Sequence, residues 1–520
     1  MAAVLVVQDD DTRYSKPSTA LTTTAVPGSP AQLQVSDAQG VLATLTVGAK
    51  TVTLRGPSRT FTEQKRPFVD NFTRTYSNGW GLSPGGGQWL NLAGSNANFS
   101  VNGSQGVILL DTVNTGRYVS LNDGDIGDVS VTAAITFDEV PTGASCSAAI
   151  TFGYQDSSNH YRARLLVNTT GTVQCALEVV IAGVTTTLGA ATTVGTGFAA
   201  SQLWHIRAER AGTTVRCRAW KDGAAESGTW TYSVTDSTFL TGRIGLRALA
   251  STGNTNIPVN TIIDDFTVTS ATWAHPPVVT HGTWVRVLAA PYSGTWTSAL
   301  ADQVRQWAVD TSPDVIGYAM MFAFQGSTVT DPALSGKRIF GEAQYGPLAA
   351  DGSRIEFSDW NDFSGMGWTY PNGEVRTFPH GSVTTSGGID CSGFLRSVWR
   401  HMGIPLTFDL NFDGLNLPRR TRDIGPYGPG VIVQQATGTA PSLTGLQIGD
   451  TVLFDADATE PIEGQIDHNG IYLGVDSNGN NRFISSRKTV SGPTFADLGG
   501  PSIINGTGTF AARLRIIRRF

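Results

Sequence analysis

The sequence predicts a multidomain protein in which an all-β sandwich is followed by an α+β domain. Glycine accounts for 60 of the 520 residues and charged residues for only 15%, which is typical of β-rich globular proteins. Between residues 68 and 270, short runs of alternating polarity recur about every ten residues between turn residues, as in antiparallel sandwiches. Residues 394–402 instead carry apolar side chains at helical spacing, which predicts a helix in the later domain.

Residues 67–273 are predicted to form one sandwich. The segment begins with Asp70-Asn71-Phe72 and ends with Asp264-Asp265-Phe266. These matching ends resemble concanavalin-like (laminin-G-type) jelly rolls, in which the first and last strands pair, and the resemblance implies a jelly-roll fold. We expect strands at 147–154, 161–168, 174–182, 203–210 and 214–222.

The predicted sandwich contains side chains that suit a ligand or a metal. Indole rings stack on sugars, so four tryptophans are candidates for binding a wall glycan, with burial in the core as the favoured alternative: Trp80, Trp89, Trp220 and Trp230. Carboxylates can hold Ca²⁺, but turn and capping roles are favoured for Asp70, Asp264 and Asp265.

A cysteine stands where a loop turns into the predicted helix of the later domain. Residues 387–390 (GGID) lead into Cys391, and Gly403 followed by Pro405 ends the apolar repeat, the usual order of C-terminal helix signals. Asp390 or Ser392 is expected to cap the first turn. A thiol in that turn faces unpaired N–H groups and the positive end of the helix dipole, so we expect thiolate character. The alternative is a buried cysteine that packs as a small hydrophobic residue.

A thiolate nucleophile needs a base, and His468 begins a predicted strand downstream. Three motifs occur in order: 390–394 (DCSGF), 449–454 (GDTVLF) and 468–474 (HNGIYLG). Together they resemble the NlpC-type family of cell-wall peptidases over residues 351–520. The resemblance implies a papain-like α+β fold with Cys391 as nucleophile and His468 as base, and it requires no metal or cofactor.

The same resemblance places the remaining site residues. The third catalytic position aligns with Ser485, where the family usually has His, Asn or Gln, and its hydroxyl is expected to accept a hydrogen bond from His468 Nδ1–H. Tyr370 is the candidate for binding substrate or the oxyanion, with a core or groove-wall role as the alternative. Asp390 and Ser392 flank the nucleophile and complete the predicted substrate and oxyanion site.

The resemblance implies hydrolysis of bacterial peptidoglycan at the γ-D-glutamyl–diaminopimelate (or lysine) bond, with an amidase on the lactyl linkage as a variant. A second hypothesis is a structural tail adhesin that binds wall glycans and keeps a weak or inactive papain-like module. The departure at Ser485 favours this second hypothesis. An acyltransferase or transglutaminase would use the same Cys–His pair.

The stretches around the sandwich resemble a different group of proteins. The sequences of residues 51–61, 284–288 and 310–315 are similar to those of minor tail proteins of phages infecting Gram-positive bacteria. The resemblance implies a tail-docking unit built from 1–66 and a connecting α/β segment at 274–350, which would contact other tail proteins in the virion. Residues 1–66 are too poor in apolar residues to hold a core alone.

Composition excludes several other classes. The net charge of −6 argues against a nucleic-acid partner. Residues 513–519 alternate Arg with Leu or Ile, which predicts a half-exposed last strand. The first seven residues lack the positive charge of a signal peptide, and no apolar run has transmembrane length. The cysteines outside the helix motif are expected as buried thiols, with a bridge between the last two as the alternative: Cys146, Cys175 and Cys217.

Overall fold

The computed structural model describes residues 5–7, 20–63, 67–83, 87–122, 126–273, 277–347, 354–408, 412–457, 462, 464–488, 490–497 and 500–520. The predicted linker at 274–276 and the predicted boundary at 350–351 lie outside these residues. The chain forms two compact units. One contains residues 64–276, and the other combines the chain up to residue 63 with 277–347 and 354–520. None of the helices in the described part is long and apolar enough to cross a membrane.

The strands in the described residues fall into three groups along the chain. The first group is β1 (Leu5–Val7), β2 (Thr22–Val26), β3 (Gln32–Asp37), β4 (Gly40–Thr46) and β5 (Thr51–Thr62). The second is β6 (Phe68–Asp70), β7 (Thr75–Ser77), β8 (Trp89–Ala93), β9 (Phe99–Asn102), β10 (Gly106–Leu110), β11 (Arg117–Leu121), β12 (Ile126–Phe137), β13 (Cys146–Asp156), β14 (Asn159–Val167), β15 (Val173–Ile181), β16 (Val184–Gly195), β17 (Trp204–Ala211), β18 (Thr214–Lys221), β19 (Tyr232–Thr235), β20 (Arg243–Ala250) and β21 (Val259–Trp273). The third is β22 (Val278–Val287), β23 (Val329–Asp331), β24 (Lys337–Phe340), β25 (Trp368–Thr369), β26 (Val375–Arg376), β27 (Val431–Gln435), β28 (Thr451–Phe454), β29 (His468–Val475), β30 (Asn481–Arg487), β31 (Val490–Thr494) and β32 (Leu514–Arg519). The helices are α1 (Ser298–Trp307), α2 (Val315–Met320), α3 (Trp360–Ser364), α4 (Cys391–His401), α5 (Thr421–Tyr427) and α6 (Thr509–Arg513).

The predicted jelly-roll sandwich is confirmed. One sheet has the order β19-β18-β17-β12-β21-β10-β9-β7, and the facing sheet has the order β16-β15-β14-β13-β20-β11-β8. The matching ends pair as expected, because β6 lies against β21 with Asp70 opposite Phe266. Alternating residues of both sheets fill one core.

The candidate ligand residues of the sandwich include two buried tryptophans and two that contact polar side chains. Trp80 and Trp89 are buried, and Asp70 accepts hydrogen bonds from Trp89 Nε1 at 2.8 Å and from Arg74 Nη1 at 2.8 Å. Trp220 stacks on His205, and Trp230 lies beneath Arg216 and Arg218. Among the described residues, no group of His, Cys, Asp and Glu side chains is arranged to hold a metal ion.

The cysteines of the sandwich are buried free thiols. Cys175 and Cys217 lie in facing sheets, and their Sγ atoms are 3.6 Å apart without a disulfide bond. The burial of these thiols agrees with the prediction, and the alternative bridge is not formed.

The other unit begins with a sheet that joins two distant stretches of chain. β22 pairs with β5 from Val287 opposite Thr51 to Val278 opposite Thr62. The strand order is β1-β5-β4-β3-β2. β22 lies outside this order and pairs with the remaining edge of β5. The apolar-poor N-terminal stretch therefore completes its core with residues of β22 and α1.

A buried ion pair fixes α2 against this sheet. Arg59 reaches both carboxylate oxygens of Asp314 at 2.7 Å, and Asp314 also accepts the N–H groups of Val285 and Gly317. Asp314 is also the N-cap of α2. Burial raises the pKa of Asp314, but Arg59 and these N–H groups outweigh burial, so the pKa is lowered.

The later domain is built on the sheet β27-β32-β28-β29-β30-β31, and α4 packs on β29 and β30. The prediction of a half-exposed last strand is wrong, because β32 lies inside the sheet and is buried. Its arginines have partners that are distant in sequence. Arg519 pairs with Asp450 at 2.8 Å, and Arg518 donates to the carbonyls of Pro429 and Gly425.

Replacing Arg59 with Met should destabilise the unit that contains the later domain by about 3–5 kcal/mol, because the Asp314 carboxylate would remain buried without its cation. The matched control is Arg305→Met, which removes an exposed pair with Asp302 and should cost less than about 1 kcal/mol. Chemical denaturation measures both. Equal losses in the two variants would contradict the role of the buried pair.

Candidate active site

The start of α4 is fixed by three backbone contacts. Asp390 is the N-cap, and its Oδ1 accepts the N–H of Gly393 at 2.6 Å. The N–H of Asp390 donates to the carbonyl of Ser358 at 2.8 Å, and Ser486 Oγ donates to the carbonyl of Ile389 at 2.6 Å. A Cβ at Gly393 would lie 2.4 Å from the Ser358 carbonyl oxygen, so the motif requires glycine there. Cys391 is thus held at the first position of the helix.

Behind the helix start lies a buried chain of charges. Arg419 Nη2 is 2.7 Å from Asp390 Oδ2, and Arg419 Nε is 3.2 Å from Asp359 Oδ2. Arg396, fully buried in α4, reaches the other oxygen of Asp359 at 3.3 Å. Burial raises the pKa of Asp359, but Arg396 and Arg419 outweigh burial and the pKa is lowered. The Asp359 carboxylate therefore stays charged, and Arg419 links it to the Asp390 cap.

Two of the predicted substrate residues belong to this charge chain. Ser392 Oγ accepts a hydrogen bond from Arg419 Nη1 at 2.6 Å and donates to Asp390 Oδ1 at 3.2 Å. Tyr370 is 2% exposed, and its hydroxyl donates to Asp359 Oδ2 at 3.1 Å. In the structure Asp390, Ser392 and Tyr370 support the helix start, and the substrate or oxyanion role expected of Tyr370 stays a prediction.

The nucleophile candidate is buried and neutral. Cys391 Sγ lies 3.5 Å from Thr421 Oγ1 in α5 and 3.8 Å from the carbonyl oxygen of Asp467. Burial, followed by the charge of Asp390, raises the pKa of the Cys391 thiol to about 12. This shift is opposite in direction to the one expected from the helix terminus, because loss of solvent outweighs that terminus.

The base candidate lies next to the nucleophile in the fold. His468 follows Asp467 directly and begins β29. Its Nε2, rather than the predicted Nδ1, is 3.1 Å from Ser485 Oγ in β30. Burial, followed by the charge of Arg487, lowers the pKa of His468 to about 3. The structure thus places the Cys391 thiol against the residue before His468 and the His468 ring against Ser485, with thiol and imidazole both uncharged.

Two residues at this site were missed by the sequence prediction. Tyr345 is 5% exposed, and burial followed by the charges of Cys391 and Asp390 raises its pKa. Its neighbour Gln344 exchanges backbone hydrogen bonds with the nucleophile loop at Gly387 and Ile389. Thr421 contacts the thiol and accepts a hydrogen bond from Asn469 Nδ2 at 3.0 Å. The Asn469 that follows His468 is the one sequence signal that could have pointed to a polar partner here.

Comparison with known proteins supports the module that these residues form. Residues 375–498 match the NlpC/P60 family, a range that includes Cys391, His468 and Ser485. Over 118 residues, 23% of this chain, the sequence is 34% identical to the murein DD-endopeptidase MepS/murein LD-carboxypeptidase of Escherichia coli strain K12. The same identity and coverage are found for the protein of that name from Escherichia coli O157:H7. The alignment covers 46% of each relative, so the chain spans less than half of their length. The predicted NlpC-type peptidase module is confirmed.

Two solved structures match part of the chain at low similarity. The β-glucanase of Bacillus licheniformis is 11% identical with a TM-score of 0.29, covering 40% of this chain and 100% of that one. The carbohydrate-binding module CBM66 from Bacillus subtilis is 14% identical with a TM-score of 0.26, covering 35% and 94%. The sandwich assignment stands on the strand order described above.

Alkylation of Cys391 by iodoacetamide in the free protein should be slow at neutral pH. The rate should rise about tenfold per pH unit toward pH 11, because the thiolate fraction grows tenfold per unit below the raised pKa. Mass spectrometry of the peptide containing residue 391 measures the rate, and Cys391→Ser gives the background from the other cysteines. A plateau near pH 9 would contradict the raised pKa.

Proposed function

We propose that this chain, which carries an NlpC/P60 module at residues 375–498, is a peptidoglycan hydrolase that cleaves an amide bond of the wall peptide by a Cys–His mechanism. The observation that carries the proposal is the position of Cys391 at the start of α4, where Sγ lies 3.8 Å from the carbonyl oxygen of Asp467, the residue before His468, while the His468 ring contacts Ser485 in β30. A nucleophile, a base and an orienting group gathered in one site are the pattern of covalent acyl transfer.

The reaction follows from these groups. Cys391 transfers its proton to His468, and Sγ forms a bond to the substrate carbonyl carbon. The backbone N–H at the start of α4 stabilises the oxyanion, and His468 returns the proton to the leaving amine as the C–N bond breaks. Water, deprotonated by His468, then hydrolyses the thioester and restores the thiol.

The bond that is cut is a finer part of the proposal. The motifs around Cys391 and His468 support the γ-D-glutamyl–diamino acid bond, with the lactyl amide as the variant. The relative from Escherichia coli is named a DD-endopeptidase and LD-carboxypeptidase, and both names describe cleavage of amide bonds in murein. Incubating purified peptidoglycan with the protein and identifying the released fragments by mass spectrometry distinguishes these bonds.

We extend the proposal to a phage tail, where the protein would act at the host wall and contact other tail proteins. The resemblance of residues 51–61 and 284–288 to tail proteins supports this location. The pairing of β5 with β22, which contain these stretches, supports it as well. The sandwich would add binding to a wall glycan. Electron microscopy of purified virions with an antibody against this chain tests the location, and absence from the tail would refute this part.

A second function, binding the wall without cutting it, is favoured by one observation. The Cys391 thiol is buried and its pKa is raised to about 12, as expected for a weak or inactive module. The two functions differ in the fragments released from the wall. Co-sedimentation with peptidoglycan in the absence of released peptides would favour the adhesin.

Cys391→Ser and His468→Ala should each abolish release of wall peptides, with losses on the order of 10²-fold or more. Fragment release measured by mass spectrometry checks this. His205→Ala is the matched control, because His205 pairs with Asp222 in the sandwich and its loss should leave release unchanged. Full release by either active-site variant would contradict the Cys–His assignment.

Replacing residues 63–277 with a two-residue Asn-Gly turn should leave wall-peptide release intact. Thr62 and Val278 are already opposite each other in adjacent antiparallel strands, so a hairpin turn can join them. Co-sedimentation of this variant with peptidoglycan should weaken if the sandwich binds glycan. The variant that lacks residues 63–277 retains the active site but loses Glu63, which accepts the N–H groups of Phe495 and Ala496. The control variant therefore lacks only residues 64–276 and keeps Glu63 before the turn. Aggregation of both variants would contradict the separation into two units.

A further inference from the structure

Three buried side chains form a line that ends on the imidazole. Arg487 Nε is 3.2 Å from Ser485 Oγ, and Ser485 Oγ is 3.1 Å from His468 Nε2. Ser485 is fully buried and Arg487 is 3% exposed. The line therefore has no access to solvent at its centre, and its hydrogen bonds must be satisfied by these groups.

The number of protons fixes the direction of each hydrogen bond. A guanidinium is always protonated and can only donate, so Arg487 Nε–H donates to Ser485 Oγ. In the described part of the chain, Ser485 Oγ contacts no hydrogen-bonding atoms besides Arg487 Nε and His468 Nε2. If His468 Nε2 also donated, the hydroxyl proton of Ser485 would be buried without an acceptor, which is unfavourable. If Ser485 donates to Nε2, every group in the line is satisfied.

We propose that Arg487 is a positioning residue that, through Ser485, holds the neutral imidazole of His468 with its proton on Nδ1. The resting base then carries a proton on the nitrogen that is not bonded to Ser485, and its lone pair is taken up by the serine hydroxyl. A further proton can be accepted at Nε2 only if Ser485 turns its own proton away from that nitrogen. The catalytic pair is therefore held in a latent, uncharged form. This inference rests on the proposed Cys–His function and concerns the same site.

Arg487 is held firmly enough to impose this direction. Its Nη1 donates to the carbonyl of Gly500 at 2.8 Å, and its Nη2 donates to Ser502 Oγ at 2.6 Å. The guanidinium carbon lies 4.7 Å from the centre of the Phe510 ring, which also packs beside His468. These contacts leave the Nε–H aimed at Ser485, a geometry that lysine could not reproduce.

Among the described residues, the other ionisable groups around His468 do not offer Nε2 an alternative partner. The Cys391 thiol, at the start of α4, contacts the carbonyl oxygen of Asp467. The carboxylate of Asp467 accepts the N–H groups of Ala456 at 3.0 Å and Asp457 at 2.7 Å. The sides of the ring toward β28 and α6 are covered by Phe454 and Phe510. Arg487 is thus the charged group that acts on the Ser485–His468 contact.

The test reads the tautomer directly by long-range ¹H–¹⁵N NMR of the full chain labelled with ¹⁵N-histidine, without peptidoglycan. His468→Gln assigns the signal. The wild type should show Nδ1–H, whereas Arg487→Met should show Nε2–H as a substantial population and a rise of at least about one unit in the pH midpoint of the ring. Arg518→Met is the matched control, because Arg518 is also buried in this sheet and donates to backbone carbonyls. It should retain the wild-type tautomer.

Two results would overturn the inference: Nε2–H in the wild type, or Nδ1–H retained in Arg487→Met. If Arg487→Met fails to fold, Ser485→Ala removes the same donor, and retention of Nδ1–H in that variant overturns the inference equally. The tautomer is measured without substrate. A protein that shows the expected tautomers but releases no wall peptide would contradict the proposed hydrolase function and leave the inference standing.

Discussion

The buried contact between Arg419 and the carboxylates of Asp390 and Asp359 is the interaction on which the site depends. Asp390 caps α4, so its position fixes the first turn and the direction in which Cys391 leaves the helix. Without the cation, two carboxylates would lie close together away from water, and removal of one partner from a buried pair is strongly destabilising. The position of Cys391 is therefore fixed by charged groups that take no part in the proposed reaction.

The same burial that fixes the site also suppresses its charges. An imidazolium and a thiolate are both disfavoured where water is excluded, which explains why the pKa of Cys391 rises to about 12 while that of His468 falls to about 3. A low-dielectric site strengthens the interaction of an ion pair once it forms. The uncharged Cys391 and His468 and the Arg487–Ser485 contact thus belong to a resting state. Proton transfer from this state would begin only when substrate binds.

Features set by neighbouring residues could be predicted from the sequence, and features set by distant ones could not. The start, cap and end of α4 follow from Asp390, the apolar repeat and Gly403, and all were predicted. The register that aims Ser485 at His468 follows from the alternation of a strand. Arg419, Thr421 and Tyr345 escaped prediction because their contacts with the site arise only when separate elements pack. The arginines of β32 were misplaced for the same reason, since Asp450 lies far from Arg519 along the chain.

The place of β32 between β27 and β28 has a consequence for biosynthesis. The sheet that carries His468 needs a strand encoded well after the histidine itself, so β28 keeps an unpaired edge while the intervening chain is still being translated. Long-range pairing of this kind also forms slowly. A ribosome-bound or prematurely terminated product would therefore contain Cys391 and His468 without the sheet that holds them together. The sheet that carries His468 would be complete only in chains that include β32.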